Sequence, residues 1–141
     1  MIDFKINVLA FFIVAIVNFF LSWIYYSPMA PWFKTWQIGV GADINKKEMT
    51  DEDKKSMPRL MGGAVIASLL YAYGLQIIVQ SVKATDFISG ASVGFVLWFA
   101  FAVTHSLNTQ FEGRKPIVLL INNGLYLVTY VVFGGIIAVM K

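Results

Sequence analysis

The sequence predicts an all-α protein, an integral membrane four-helix transmembrane bundle with a short amphipathic interfacial helix in the first loop. Four long apolar runs, each free of Asp, Glu, Lys and Arg, are separated by polar segments. Hydrophobic residues make up 58% of the 141 residues and charged residues 13%, against about 45–50% and about 25% in soluble domains. So few charges cannot cover the surface of a small water-soluble protein, and the apolar faces are therefore expected to meet a lipid bilayer.

Each apolar run is long enough to cross a bilayer, which takes about 20 residues at a rise of about 1.5 Å per residue. Because lipid offers the backbone no hydrogen-bond partner, each run is predicted to be a helix. Residues 1–141 then form a single transmembrane domain. The predicted spans are residues 6–26, 60–82, 87–107 and 117–140.

Lys and Arg are distributed unequally between the connections, with eight in loops 27–59 and 108–116 and three elsewhere. The eight are Lys34, Lys46, Lys47, Lys54, Lys55, Arg59, Arg114 and Lys115, and the three are Lys5, Lys83 and Lys141. Basic loops favour the cytoplasm, so we expect both loops to be cytoplasmic and both termini to lie outside, in the cell (cytoplasmic, inner) membrane. The basic residues are interleaved with acids, so no nucleic-acid partner is expected.

The long first loop contains its own helix signals. Pro28 and Pro31 stop the first span, and the aromatic residues Trp32, Phe33 and Trp36 then fall on one helical face. This pattern predicts a short helix lying flat at the headgroup level; the alternative is an irregular segment anchored by the two tryptophans.

The end of this loop also carries a helix start. Thr50 is followed by three acids, which is typical of an N-cap and a first turn at the positive end of the helix dipole. Pro58 is expected to separate this turn from the second span or to kink the join.

Small residues predict where helices approach closely. Gly90 and Gly94 form a G-x-x-x-G pair, and Gly63 and Ala67 have the same spacing, which lets backbones come together in membranes. Contact within the bundle is the first interpretation and self-association the second. The very short connection at residues 83–86 predicts that the second and third spans are antiparallel neighbours.

Uncharged polar residues at membrane depth are the candidate site, because each is costly in lipid unless it is paired. The predicted polar intramembrane cluster comprises Asn18, Ser22, Tyr26, Trp98, His105, Asn122 and Tyr126. Hydrogen bonds that merely hold helices together are the alternative interpretation. His105 is the only histidine and could change its charge near neutral pH, but one histidine does not make a metal site, so no metal or cofactor is predicted.

Two segments resemble a known family. Tyr25-Tyr26-Ser27-Pro28 with the Trp32 to Trp36 stretch is similar to the "W-Y-S-P … W" segment of the small bacterial membrane proteins called domain of unknown function 1761. Phe111-Glu112-Gly113-Arg114-Lys115-Pro116 and Ile121-Asn122-Asn123-Gly124 resemble its "F-E-x-[KR]-P … I-N" segment. The resemblance covers essentially the whole chain, although Tyr25 stands where the family usually has Trp. It implies a four-span bacterial membrane protein without an established activity. It also directs attention to the cytoplasmic end, where Tyr26, Ser27, Trp36, Glu112 and Asn122 would gather.

These observations favour a non-enzymatic accessory or interaction subunit that binds another membrane protein or a second copy of itself. No nucleophile motif, phosphate loop or metal cluster is visible in the sequence, so no catalytic residue is predicted. The alternative is a small oligomeric transporter or channel for a neutral or lipid-like solute, with a polar site near His105 and Asn122.

Overall fold

The computed structural model describes residues 1–45 and 48–140, which leaves Lys46, Lys47 and Lys141 of the charge count outside the described residues. Those residues form α1 (Val8–Tyr25), α2 (Phe33–Gly39), α3 (Asp51–Ser81), α4 (Phe87–Phe111) and α5 (Pro116–Val139). The described part of the chain has no strand. Helices α1, α3, α4 and α5 are long and apolar enough to cross a membrane. The predicted all-α class with four helices of spanning length is therefore confirmed.

The aromatic segment of the first loop is helical, as α2. Gly41 ends it in the left-handed region, with φ at +77°. The N–H of Gly41 donates to the Ile38 carbonyl at 3.2 Å and the N–H of Ala42 donates to the Gln37 carbonyl at 2.9 Å. This pair of bonds is a Schellman cap, which favours glycine at the left-handed position.

The start of α3 corrects one sequence prediction. Thr50 does cap a helix, since its hydroxyl accepts from the Asp53 N–H at 3.2 Å while the Asp53 carboxylate accepts from the Thr50 N–H at 2.8 Å. Pro58, however, does not separate that turn from the span, because the helix runs unbroken from Asp51 to Ser81. A proline here removes only the bond to the Lys54 carbonyl, and Lys54 is exposed, where water can take over that acceptor.

The long helices form two packed pairs, α1 with α3 and α4 with α5. Gly90 and Gly94 lie against α5: a Cβ at Gly94 would overlap the Tyr130 carbonyl oxygen, and one at Gly90 would overlap the Gly134 backbone. Close backbone approach thus draws α4 onto α5. The expectation that the second and third spans are neighbours fails over most of their length, because α3 and α4 touch only sparsely.

Both termini lie at one end of the bundle. The Asn7 side chain donates to the Met140 carbonyl, and the Asp3 N–H donates to the Ser81 hydroxyl at 2.8 Å. A buried core fills this half and includes Val14, Ala72, Leu75, Val79, Phe133 and Ile137. The loops that follow α1 and α4 lie at the opposite end, which we call the loop end.

Candidate functional site

An aromatic cluster closes the loop end of the bundle and consists of Tyr25, Tyr26, Trp32 and Trp36. The Trp32 ring lies 4.5 Å from that of Tyr25, and its indole N–H donates to the Tyr25 carbonyl at 2.9 Å. The Tyr26 and Trp36 rings are 4.9 Å apart. The last turn of α1 and the face of α2 are therefore packed as one unit.

Asn122 ties this cluster to α5. It is 7% exposed, and its side-chain oxygen accepts from the Tyr26 hydroxyl at 2.8 Å and from the Trp36 indole N–H at 3.2 Å. The Tyr25 hydroxyl donates to the Ile121 carbonyl at 2.8 Å. One buried amide thus satisfies donors from two other helices.

Glu112 and Arg114 lie outside the aromatic cluster, in the loop between α4 and α5. Both are exposed, and the Arg114 Nε lies 2.8 Å from a Glu112 carboxylate oxygen. The structure shows no bond from this pair to the aromatic cluster within the described residues. The Ser27 hydroxyl donates back to the Ile24 carbonyl at 2.8 Å. Of the five residues expected at this end, three meet through hydrogen bonds: Tyr26, Trp36 and Asn122.

A cleft of about 560 Å³ lies just inside this cluster, between α1, α3 and α5, with Phe101 of α4 at its edge. Its lining is mainly apolar, with uncharged polar groups at Asn18, Ser22, Tyr26, Ser68, Tyr71, Tyr126, Thr129 and Tyr130. Among the described residues, no Asp, Glu, Lys, Arg or His lines it. No residue of α3 before Ser68 is buried, which agrees with open space beside this part of the helix.

Two polar contacts lie in the cleft wall. The Asn18 amide donates to the Ser68 hydroxyl at 3.0 Å and so joins α1 to α3. The Thr129 hydroxyl donates to the Tyr126 carbonyl at 3.1 Å. Thr129 lies close to the Tyr71 hydroxyl, but that hydroxyl is buried and has no hydrogen-bond partner in the part of the chain that the structure describes.

The remaining members of the predicted polar cluster lie between α4 and α5, outside the cleft. The Trp98 indole N–H donates to the Asn123 carbonyl at 2.9 Å. The His105 ring stands edge-on to Tyr126 with centroids 5.6 Å apart, and its Nε2 is buried without a partner among the described residues. The predicted cluster is thus divided between the Asn122 group, the cleft and the α4–α5 contact.

Gly63 and Ala67 do not bring two helices of the chain together. No heavy atom lies within 4 Å of a Cβ built on Gly63, and both residues are exposed. Ala67 lines the cleft, whereas Gly63 turns away from it. The first interpretation, contact within the bundle, therefore fails for Gly63, and the self-association interpretation remains open.

Several polar contacts were missed by sequence reasoning. The Asn123 amide donates to Ser106 at 3.1 Å, and Gln76, which is fully buried, donates to the Asn7 carbonyl at 3.1 Å. Asn7 is a single polar residue at the edge of a span, and Ser68 is a small polar residue inside one. Hydropathy alone therefore does not distinguish either of them from the polar residues that make no contact between helices. The spacing of Ser68 and Tyr71 on one helical face is the signal that was available.

The fold and the site define a small helical protein with four apolar helices, a cluster of aromatic side chains around one buried amide, and an uncharged cleft. The chain belongs to the family described as "Protein of unknown function (DUF1761)", whose model matches residues 9–138. This confirms the resemblance inferred from the Tyr-Tyr-Ser-Pro and Phe-Glu-Gly-Arg segments. No curated protein and no solved structure matches the chain.

Proposed function

We propose that the chain is a multi-pass protein of the cytoplasmic membrane that acts by binding a membrane partner, either another helical protein or a second copy of itself, without catalysing a reaction. The observation that carries this proposal is the uncovered outer face of α3, which comprises Gly62, Gly63, Ile66 and Leu70 and which we call the α3 face. It turns away from both the core and the cleft.

The α3 face combines small and large apolar residues. Ile66 is 59% exposed and Leu70 is 66% exposed, and nothing lies within 4 Å of a Cβ built on Gly62 or Gly63. Helix association in lipid is driven by close packing at such small residues. Gly90 and Gly94 on α4 are already covered by α5, whereas the α3 face is a small-residue surface that no described residue covers.

The cytoplasmic placement of the loop end rests on the charge distribution. The two termini are at one end and the basic loops at the other, which is the arrangement that the excess of loop Lys and Arg favours. Because the chain has no cysteine, single cysteines at Asp43 and Thr85 would test it. We expect a membrane-impermeant maleimide added to intact cells to label Thr85→Cys and to spare Asp43→Cys; the reverse labelling would overturn the orientation.

A transporter for a neutral solute is the second candidate, and the uncharged cleft is the observation in its favour. The cleft is bounded toward the terminal end by the packed core around Leu75 and Phe133, which favours binding over passage through one chain. Solute flux into vesicles that contain the purified protein, lost when the cleft-lining Asn18 or Ser68 is replaced by alanine, would favour transport over the accessory role.

Cross-linking in native membranes tests the partner-binding proposal. A photoreactive maleimide is attached to Gly63→Cys or, as the matched control, to Val96→Cys, which is 66% exposed on α4. We expect Gly63→Cys to give one discrete cross-linked species, whose mass identifies a second copy or another protein. Equal, diffuse labelling from both positions would show that only lipid covers the α3 face and would overturn the proposal.

A further inference from the structure

We propose that the cleft between α1, α3, α4 and α5 binds one uncharged amphiphile drawn from the membrane. Its hydrogen-bond-accepting head would lie at Tyr71, and its apolar tail would leave between α3 and α4. This site goes beyond the proposed partner binding, because it lies on a different side of α3 from the α3 face.

The size of the cleft suits one small-molecule ligand. Its volume of about 560 Å³ falls within the range of about 300–1,000 Å³ typical of ligand sites, which are mostly apolar with a few placed polar groups. The lining has this composition, since it combines aromatic rings, such as those of Phe19 and Tyr130, with hydroxyl and amide groups. A ligand with both a polar and an apolar part would match this lining.

The absence of charge from the lining of the described cleft selects against a charged head group. A phosphate or carboxylate that left water for this cleft would lose its hydration and find no Lys, Arg or His along the wall. An ester, ketone or ether oxygen carries no such penalty. The ligand class is therefore a neutral lipid.

The Tyr71 hydroxyl supplies the polar contact. Tyr71 lines the cleft, and its hydroxyl, which is buried in the wall, has no acceptor of ordinary geometry in the described residues although the Thr129 side chain lies nearby. Buried hydroxyls nearly always have a partner. An acceptor atom on the ligand would complete this one.

The mouth of the cleft leads toward lipid. Leu60 of α3 and Phe101 of α4 both line it and are 64% and 61% exposed, and these two helices touch only sparsely. An apolar tail could extend through this gap while the head remains at Tyr71. The opening lies on the loop-end half of the bundle, so the ligand would come from the leaflet on that side.

The test uses the full chain in nanodiscs of phosphatidylcholine doped with one probe lipid, followed by native mass spectrometry. The probes are dioleoylglycerol, a naphthoquinone with an isoprenoid tail, and dioleoylphosphatidic acid, which has the acyl chains of the first probe plus a phosphate. We expect one of the two neutral probes to stay bound at one molecule per chain, and we expect the phosphatidic acid not to stay bound. The retained probe tells a glyceride from a quinone; retention of all three alike, or of none, would overturn the proposal.

Two pairs of variants locate the bound molecule. Tyr71→Phe removes only the donor and is expected to weaken retention about three- to tenfold, as for one neutral hydrogen bond, whereas Tyr73→Phe, outside the cleft, should leave it unchanged. Ala64→Leu fills the cleft and should abolish retention, whereas Ala100→Leu on the outer side of α4 should not. If each cleft variant behaved as its control, the lipid would be bound elsewhere and the assignment would be wrong.

Discussion

Replacing Asn122 by alanine should weaken the attachment of α2 to the bundle and so lower the stability of the protein. The change removes the oxygen that accepts from both Tyr26 and Trp36. A fully buried donor left without a partner costs about 1–3 kcal/mol, whereas hydrogen bonds between membrane helices contribute about 0.6 and at most about 1.7 kcal/mol each. Both donors are only partly buried, so the smaller value per hydrogen bond applies. Asn122→Ala removes two such bonds, and at about 0.6–1.7 kcal/mol each we expect the free energy of unfolding to fall by about 1–3 kcal/mol.

Reversible unfolding in mixed detergent micelles, driven by sodium dodecyl sulfate, measures this cost. A double-mutant cycle of Asn122→Ala with Tyr26→Phe should show a coupling of about 0.6–1.7 kcal/mol, because both changes remove the same bond. Asn123→Ala is the matched control, since its amide donates to Ser106 instead and should not couple to Tyr26→Phe. Strict additivity of Asn122→Ala and Tyr26→Phe would refute the assigned hydrogen bond.

Three further predictions use the same unfolding assay. Gly94→Ala should cost about 1–3 kcal/mol because its Cβ would overlap the backbone of α5, whereas Gly74→Ala, with nothing within 4 Å, should stabilise by up to about 1 kcal/mol; equal effects would contradict the proposed α4–α5 contact. Lys83 has a φ of +57°, so Lys83→Gly should raise the free energy of unfolding by about 1 kcal/mol. A decrease would show that the contacts of the lysine side chain outweigh the strain of its backbone. The backbone N–H of Ser89 donates to the Asp86 carboxylate and holds the pKa of that carboxyl below its ordinary value of 3.8. The ionised carboxylate should therefore stabilise the fold fully above about pH 4, and this stabilisation should be lost as the pH falls through the lowered pKa. Asp86→Asn should keep the cap and lose this pH dependence, and an unchanged profile would assign the dependence to another group.

Local signals predicted the helix ends well because they depend on neighbouring residues alone. Thr50 and the acids that follow it, Asp53 among them, act within a single turn and are visible in the sequence. The separation predicted at Pro58 was wrong for the opposite reason. Its penalty depends on whether the Lys54 carbonyl can find water, which requires knowing that this side of α3 is uncovered.

The rotation and pairing of the helices could not be predicted from periodicity. Hydropathy does not distinguish a helix side that faces lipid from one that faces another helix, because both are apolar. The sequence therefore predicts one polar cluster that holds both Trp98 and Asn18, although Trp98 donates to the Asn123 carbonyl outside the cleft. The sequence indicated which residues are costly in lipid but not which partner each one finds.

The hydrogen-bond pattern also suggests which wall of the cleft can yield. α1 and α5 are joined at the loop end through Tyr26 and Asn122, and at the terminal end through Asn7 and Met140. On α3, the first cross-helix hydrogen bond in the described residues is that of Ser68 with Asn18; residues 57–67 of that helix show none to another helix. If a ligand widened the cleft by moving α1 away from α5, the hydrogen bonds at both ends of that helix pair would break. If it moved the first half of α3 instead, only apolar contacts would be lost. We therefore expect occupancy of the cleft to tilt α3 about Ser68, which would also shift the α3 face and so couple the two proposed sites.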